Sequence, residues 1–317
     1  MKKIITVLLV IAILASFAGC SGAKDKNYVV GICQLVQHPA LDAATQGFKD
    51  ALTEKLGDKV TFDEQNASND IPACSTIANS FVAKNVDLIM ANATPALQAC
   101  ASATMEIPIL GTSVTEYGVA LSIENFNGTV GGNISGTSDL APLAEQANMI
   151  VELFPDAKNV GLVYCSAEAN SLYQVNVVAA ELAAKGITAT PYPFSELNDM
   201  AAVATAACAA SDVIYVPTDN TVASATNILY GVTKEAGVPV IAGEEGICEG
   251  CGVASLTISY YDLGYKTGEM AYEILTGASK IEDMAIAYAP NFTKKYNPEV
   301  CNDLGIEAPA GYEAIGG

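Results

Sequence analysis

Asp87-Leu-Ile-Met-Ala-Asn-Ala-Thr-Pro-Ala96 and Asp212-Val-Ile-Tyr-Val-Pro-Thr-Asp-Asn-Thr-Val-Ala223 repeat one pattern: an aspartate, a short apolar run, then a hydroxyl-bearing turn. A second pair agrees at nearly the same spacing, Ile107-Pro-Ile-Leu-Gly-Thr112 beside Val238-Pro-Val-Ile-Ala-Gly243. Apolar runs of this length followed by amphipathic stretches are the signature of β-α units, and two sets of them indicate an internal duplication. Outward from these points the order of elements is the same in both copies. The first copy reads as strands over 28–36, 60–63, 86–91 and 107–110. Its helices run from near Pro39 through Ala43, Phe48 and Leu52, then over 71–83 and 94–104. The second copy reads as strands over 159–166, 187–191, 212–216 and 238–242, with helices over 168–185, 199–210 and 221–235. The fold class is therefore α/β, with two Rossmann-like lobes of mostly parallel sheet joined by a hinge.

The remaining segments set the expected domain boundaries. Residues 253–258, a helix over 261–275 and an extended piece over 284–289 follow the second copy. The stretch 125–139, rich in Gly, Asn and Thr, reads as the hinge, and without a Gly-Lys-Ser/Thr ending it is no phosphate loop. The expected division is 28–122 plus 254–284 for the first lobe and 123–253 plus 285–317 for the second.

Ahead of the lobes, Lys2 and Lys3 precede an apolar run over 4–17 that ends in small residues, as in a secretory signal. At about 14 residues that run is too short to span a bilayer as a helix. Residues 1–19 are expected to be the signal and 20–27 a tether. Phe17-Ala-Gly-Cys20 resembles the bacterial lipobox, which implies an acylated Cys20 and attachment to the membrane through a lipid anchor.

Composition excludes some partners. With a formal net charge of −20 and no arginine, the chain repels nucleic acid and lacks the bidentate fork that grips carboxylate or phosphate. An anion must be held by backbone N–H, hydroxyls or lysine. Of nine cysteines, those in the body are scattered as core residues; Cys248-Glu-Gly-Cys251, in a glycine-bearing loop, is the one place where the spacing leaves a local disulfide open. No second cysteine pair or nearby histidine completes a zinc site, so no metal is expected, nor any cofactor.

Open parallel sheets bind ligands at the carboxyl ends of their strands, and two facing sheets make a cleft. The candidate contacts are Gln34, His38, Thr94, Pro95, Thr112 and Ser113 from the first lobe. From the second they are Asn170, Ser171, Asp219, Glu244 and Glu245, and Tyr260 completes the set. Hydroxyls dominate one side and carboxylates the other, which suits a zwitterion such as an α-amino acid. Against that reading, Thr94 and Thr112 serve equally as caps or turn residues, and Asp219 as the cap of the helix after it. Catalysis is not expected: His38 is the only histidine, and neither a Gly-x-Ser-x-Gly elbow nor a His-Glu-x-x-His helix is present.

Four stretches carry a resemblance to a known family: Gly31-Ile-Cys-Gln-Leu-Val-Gln-His-Pro-Ala-Leu-Asp42, Ala93-Thr-Pro-Ala96, Gly136-Thr-Ser-Asp139 and Ser259-Tyr-Tyr-Asp-Leu-Gly-Tyr-Lys-Thr-Gly268. Together they resemble the ABC-transporter substrate-binding proteins that include tryptophan and tyrosine importers' binding proteins. The resemblance implies a type I periplasmic-binding fold with three crossovers and an extracytoplasmic location. It also implies a small-molecule ligand, an aromatic amino acid first, with an ABC permease and its ATPase as partners. A tethered sensor for a signalling receptor, or a binder of a nucleoside or sugar, would use the same clamp.

Overall fold

A computed structural model describes residues 26–316. The expected signal, Cys20 and most of the tether lie outside the described residues.

The first copy of the repeat forms β1 (Tyr28–Gln34), α1 (Pro39–Leu56), β2 (Val60–Asn66), α2 (Ile71–Lys84), β3 (Leu88–Asn92), α3 (Thr94–Ala103), β4 (Ile109–Val114), the short α4 (Tyr117–Ala120) and β5 (Ile134–Ser138). Pro39 opens α1, whose buried face is Leu41, Ala44, Phe48 and Leu52 at helical spacing. Asp70 caps α2, and Asn85 ends it in the left-handed conformation.

The chain then enters α5 (Leu143–Leu153), β6 (Asn159–Cys165), α6 (Ala169–Ala184), β7 (Thr188–Phe194), α7 (Met200–Cys208), β8 (Val213–Val216), α8 (Asn220–Ala223), α9 (Thr226–Ala236), β9 (Val240–Ala242), α10 (Glu245–Cys251) and β10 (Ala254–Thr257). It ends in α11 (Tyr260–Thr276), β11 (Ala287–Tyr288), β12 (Thr293–Tyr296), α12 (Pro298–Leu304) and β13 (Glu313–Ala314). One sheet has the order β11-β5-β4-β3-β1-β2, the other β13-β12-β10-β9-β8-β6-β7. All pairings are parallel except β10 with β12.

The duplication is visible atom by atom. Asp87 accepts the Val29 N–H at 2.8 Å, and its counterpart Asp212 accepts the Asn159 N–H at 2.8 Å. Gly31 stands opposite Ile89 as Gly161 stands opposite Ile214. Either glycine, given a Cβ, would put it within 2.7 Å of a neighbouring side chain, of Phe81 or of Ser211.

The expected lobe boundaries need correction. β5 lies in the first sheet although 123–138 was expected in the second lobe, and of the glycines there Gly136 serves packing. Gly136, at φ +145°, brings β5 so close to β4 that a Cβ would sit 2.1 Å from the Gly111 carbonyl oxygen. Residues 254–257 form β10 beside β9 in the second sheet, not the first. β11 pairs with β5 in the first sheet, not the second. The crossings therefore fall at 139–142, 258–259 and 289–292.

Two local expectations also change. The helix expected over 221–235 breaks at Ser224 and Ala225 into α8 and α9. The loop around Cys248 and Cys251 is helix α10, capped by Glu244. Both cysteines are free, and each thiol donates to a backbone carbonyl, Cys248 to Gly252 at 3.7 Å and Cys251 to Ile247 at 3.3 Å.

Candidate functional site

The carboxyl edges of the two sheets face each other and touch. His38 Nε2 lies 3.3 Å from Asn220 Oδ1, and Asn69 Nδ2 donates to Thr221 Oγ1 at 3.1 Å. His38 and Asn69 belong to loops of the first sheet, Asn220 and Thr221 to the start of α8 in the second. The lobes are closed on each other.

Several expected contacts prove to be occupied elsewhere. Gln34 donates to Asp42 and to the Val36 carbonyl and accepts from Thr45, so it ties β1 to α1. Thr112 bonds Thr137, which bonds Thr267 at 2.8 Å, a hydroxyl chain running from β4 to α11. Pro95 is buried in the first turn of α3. Ser171 is buried beside Asn170, whose amide donates to it at 3.3 Å. Asp219 accepts the Cys165 and Val222 N–H groups at 2.7 and 2.9 Å, which makes it the cap of α8. Burial, and then the nearby Glu168 carboxylate, raise its pKa. Glu244 caps α10 through Gly246 and Ile247, and burial pushes its carboxyl up to about 7. Glu245 is partly buried and pairs with Lys295 at 2.6 Å.

What remains is a smaller set with unused hydrogen-bonding capacity. Thr94 Oγ1, Ser113 Oγ, His38 Nδ1, Asn170 Oδ1 and Asp139 Oδ1 are buried and have no partner within the protein. Each such orphan costs about 1–3 kcal/mol, so several gathered on one interface are unusual unless a ligand meets them. The backbone is special at two of these places: Ala93, just before Thr94, has φ +92°, and Ser113 has φ +53°. The β4–β5 register shifts between Gly111 and Val114, and a bulge of this kind re-aims a side chain. Strain of this kind collects at ligand clamps.

The chemistry of the orphans can be sorted. Asn220 Nδ2 donates to the Glu168 carboxylate at 2.5 Å, which leaves its Oδ1 toward His38. His38 Nε2 must then carry the proton, and burial keeps the ring neutral by lowering its pKa. Its Nδ1 is an acceptor. His38 Nδ1, Asn170 Oδ1 and Asp139 Oδ1 thus offer three acceptors, while Thr94 and Ser113 offer two hydroxyl donors. Tyr260 takes part indirectly, donating to the other Asp139 oxygen at 3.0 Å. Burial pushes Asp139 up to about 6.

Three residues of this arrangement, Asp139, Glu168 and Asn220, were not among the expected contacts. Asp139 was quoted only within the resemblance, in Gly136-Thr-Ser-Asp139; its place at the end of β5 was hidden once that stretch was read as a hinge. Glu168 lies in the cleft-facing stretch 166–171 at the start of the expected helix, where nothing in the sequence marks it as more than a helix start.

Beside the site a cavity of about 750 Å3 runs toward the crossings, walled in part by Pro39, Ala40, Ala43, Ile258, Tyr260 and Leu263. The lysines on its wall are paired already, Lys295 with Glu245 and Lys266 with Glu269. None of the five orphaned atoms belongs to this wall; it adjoins them through Pro39, next to His38, and Tyr260, which bonds Asp139. It provides apolar volume, and the polar recognition lies next to it.

The family model described as ABC transporter substrate binding protein matches residues 29–311. The chain belongs to that family. Substrate-binding proteins of this family are extracytoplasmic, and among the described residues no helix is long and apolar enough to cross a membrane. A tyrosine-binding protein of Clostridioides difficile is 40% identical over 269 residues, 81% of this chain and 74% of the relative. The structure of an ABC domain in complex with L-Trp from Streptococcus pneumoniae is 31% identical with a TM-score of 0.86, over 92% of this chain and all of that one. A ligand-free, open substrate-binding protein with adhesive properties from Clostridium difficile is 36% identical, covering 91% and 99%, yet its TM-score is 0.69. The more similar sequence superposes less well, in keeping with the lobe-to-lobe contacts that make this chain a closed form.

Proposed function

We propose that this substrate-binding protein serves an ABC importer as a lipid-anchored receptor for an aromatic L-amino acid, which it binds without chemical change. The observation that carries the reading is the sorting of the orphaned atoms. An ammonium has three N–H donors and needs acceptors; His38 Nδ1, Asn170 Oδ1 and Asp139 Oδ1 supply them. A carboxylate needs donors, and without arginine the Thr94 and Ser113 hydroxyls take that part. The assignment replaces Asp219, Glu244 and Glu245 as partners of the ammonium, because their oxygens already hold N–H groups or a lysine. The ring is assigned to the apolar wall beginning at Pro39 and Tyr260. The relatives that bind tyrosine and L-Trp point the same way.

Calorimetry of the mature protein against L-tryptophan, L-tyrosine, L-leucine, a nucleoside and a hexose tests the ligand. The aromatic amino acids are expected to bind tightest, unchanged on recovery, and ligand at 100 times its Kd should add about 2.7 kcal/mol of stability. Binding of the nucleoside or hexose with none of the amino acids would sink the zwitterion; leucine binding tightest would sink the aromatic part. For the anchor, mass spectrometry of the native protein should find an acylated Cys20, and Cys20→Ala should release it from membranes. An unmodified, freely soluble wild type would refute that element.

A further inference from the structure

Glu168 stands between β6 and α6 and is almost fully buried. Five donors converge on its carboxylate. Oε2 accepts from Asn170 Nδ2 at 3.2 Å and from the Asn220 N–H and Nδ2 at 3.1 and 2.5 Å. Oε1 accepts from the Thr221 N–H and Oγ1 at 2.9 and 2.8 Å. Asn220 and Thr221 are the two residues that reach across to the first lobe.

An ionised carboxylate only accepts, and that fixes the polarity of both cross-lobe bonds. The Asn220 amide must turn its NH2 to Glu168, so its oxygen faces His38. The single Thr221 hydroxyl proton is spent on Glu168, so its lone pairs face Asn69. Both second-lobe groups are thereby made acceptors, matched to the His38 Nε2–H and the Asn69 NH2 of the first lobe.

We propose that Glu168 is the positioning residue of an inter-lobe latch: it orients Asn220 and Thr221 before closure, so that the closed lobes are held by two bonds of preset direction. The inference rests on the reading that the lobes close on a ligand. The same orientation leaves His38 Nδ1 an acceptor toward the ligand, but the two cross-lobe bonds themselves lie between protein groups, and their contribution falls on the lifetime of the closed form rather than on encounter.

Glu168→Gln tests it with almost no change of shape, because glutamine introduces a donor and lets the Asn220 amide turn over. With L-tryptophan and L-tyrosine as probes, stopped-flow kinetics should show dissociation roughly 10- to 100-fold faster and association within about threefold of wild type. Asn69→Ala should speed dissociation in the wild-type background and add little in Glu168→Gln, the non-additivity of a shared latch. Wild-type dissociation in Glu168→Gln, or additive effects of the two changes, overturns the proposal. A second variant, Thr221→Val, removes one arm of the latch and leaves Glu168 in place; it should speed dissociation too, and serves if Glu168→Gln fails to fold. If the wild type binds neither amino acid, the ligand reading fails by itself, and hydrogen exchange in the unliganded protein still decides the latch. The Asn220 and Thr221 amides should exchange faster in Glu168→Gln, and unchanged exchange there refutes the positioning role.

Discussion

Single residues at the closed interface hold the tension between folding and binding. Asp139 and Glu244 are buried carboxyls held up to about 6 and about 7 against ordinary values of 3.8 and 4.5. A carboxyl whose pKa is raised on folding binds its proton more tightly in the native state. Its stabilisation is complete below the unfolded pKa and is lost as pH rises through the folded one. For each group the difference is of the order of 3 kcal/mol between pH 4 and pH 7.5. His38 opposes this below about pH 6.5, because its pKa is lowered and its contribution disappears as pH falls. Two carboxyls outweigh one imidazole, so the thermal midpoint of the unliganded protein should rise as pH is lowered from 7.5 to 5.5. Asp139→Asn should flatten that rise, and so should a bound ammonium, which favours the ionised Asp139. A wild-type midpoint that stays flat or falls over the same interval contradicts the account. The same residues mark the limit of reading the site from sequence. Thr94, Ser113, His38 and Asn170 were legible as polar side chains at strand ends. That Asp219 and Glu244 spend their oxygens on helix N–H groups was not, since a cap and a ligand contact call for the same residue types at the same place.

At the scale of elements, α1 and α11 meet backbone to backbone through glycines. A Cβ on Gly264 would lie 1.9 Å from the Ala44 carbonyl oxygen, and one on Gly47 would lie 2.1 Å from that of Tyr261. Neither obstacle is a side chain that can swing aside. Gly264→Ala should therefore cost about 1–3 kcal/mol or more and lower the thermal midpoint. Gly231→Ala, in α9 with open space around it, should be neutral or raise the midpoint slightly. Equal behaviour of the two variants would refute the close-packing argument. The strands and helices of the repeat were legible because their apolar period is regular. β5 was not, because glycine in a strand and glycine in a linker look alike until the neighbour that needs the space is known. β12 and α12 were missed too: Thr293-Lys-Lys-Tyr296 at the sheet's outer part is only partly buried and shows no apolar run.

For the molecule as a whole, the duplicated order of elements predicted two similar sheets, but not which late segments return to which. That depends on pairings between residues far apart: β11 with β5, β10 with β9, and β12 with β10. These returns interleave the lobes along the chain, so neither lobe is a continuous segment. A polypeptide emerges amino end first. When Ser138 appears, the first sheet still lacks its edge strand β11 and its covering helix α11. At ordinary synthesis rates the roughly 150 residues up to Tyr288 take about ten to thirty seconds. Throughout that interval the part of the nascent sheet that α11 covers, over β4 and β5, lies bare beside α1, and the sheet's edge is open to the wrong neighbour. The three crossings that join the two bodies thus also mean that the first is finished only after most of the second has been made, and that neither can be cut free as one continuous piece.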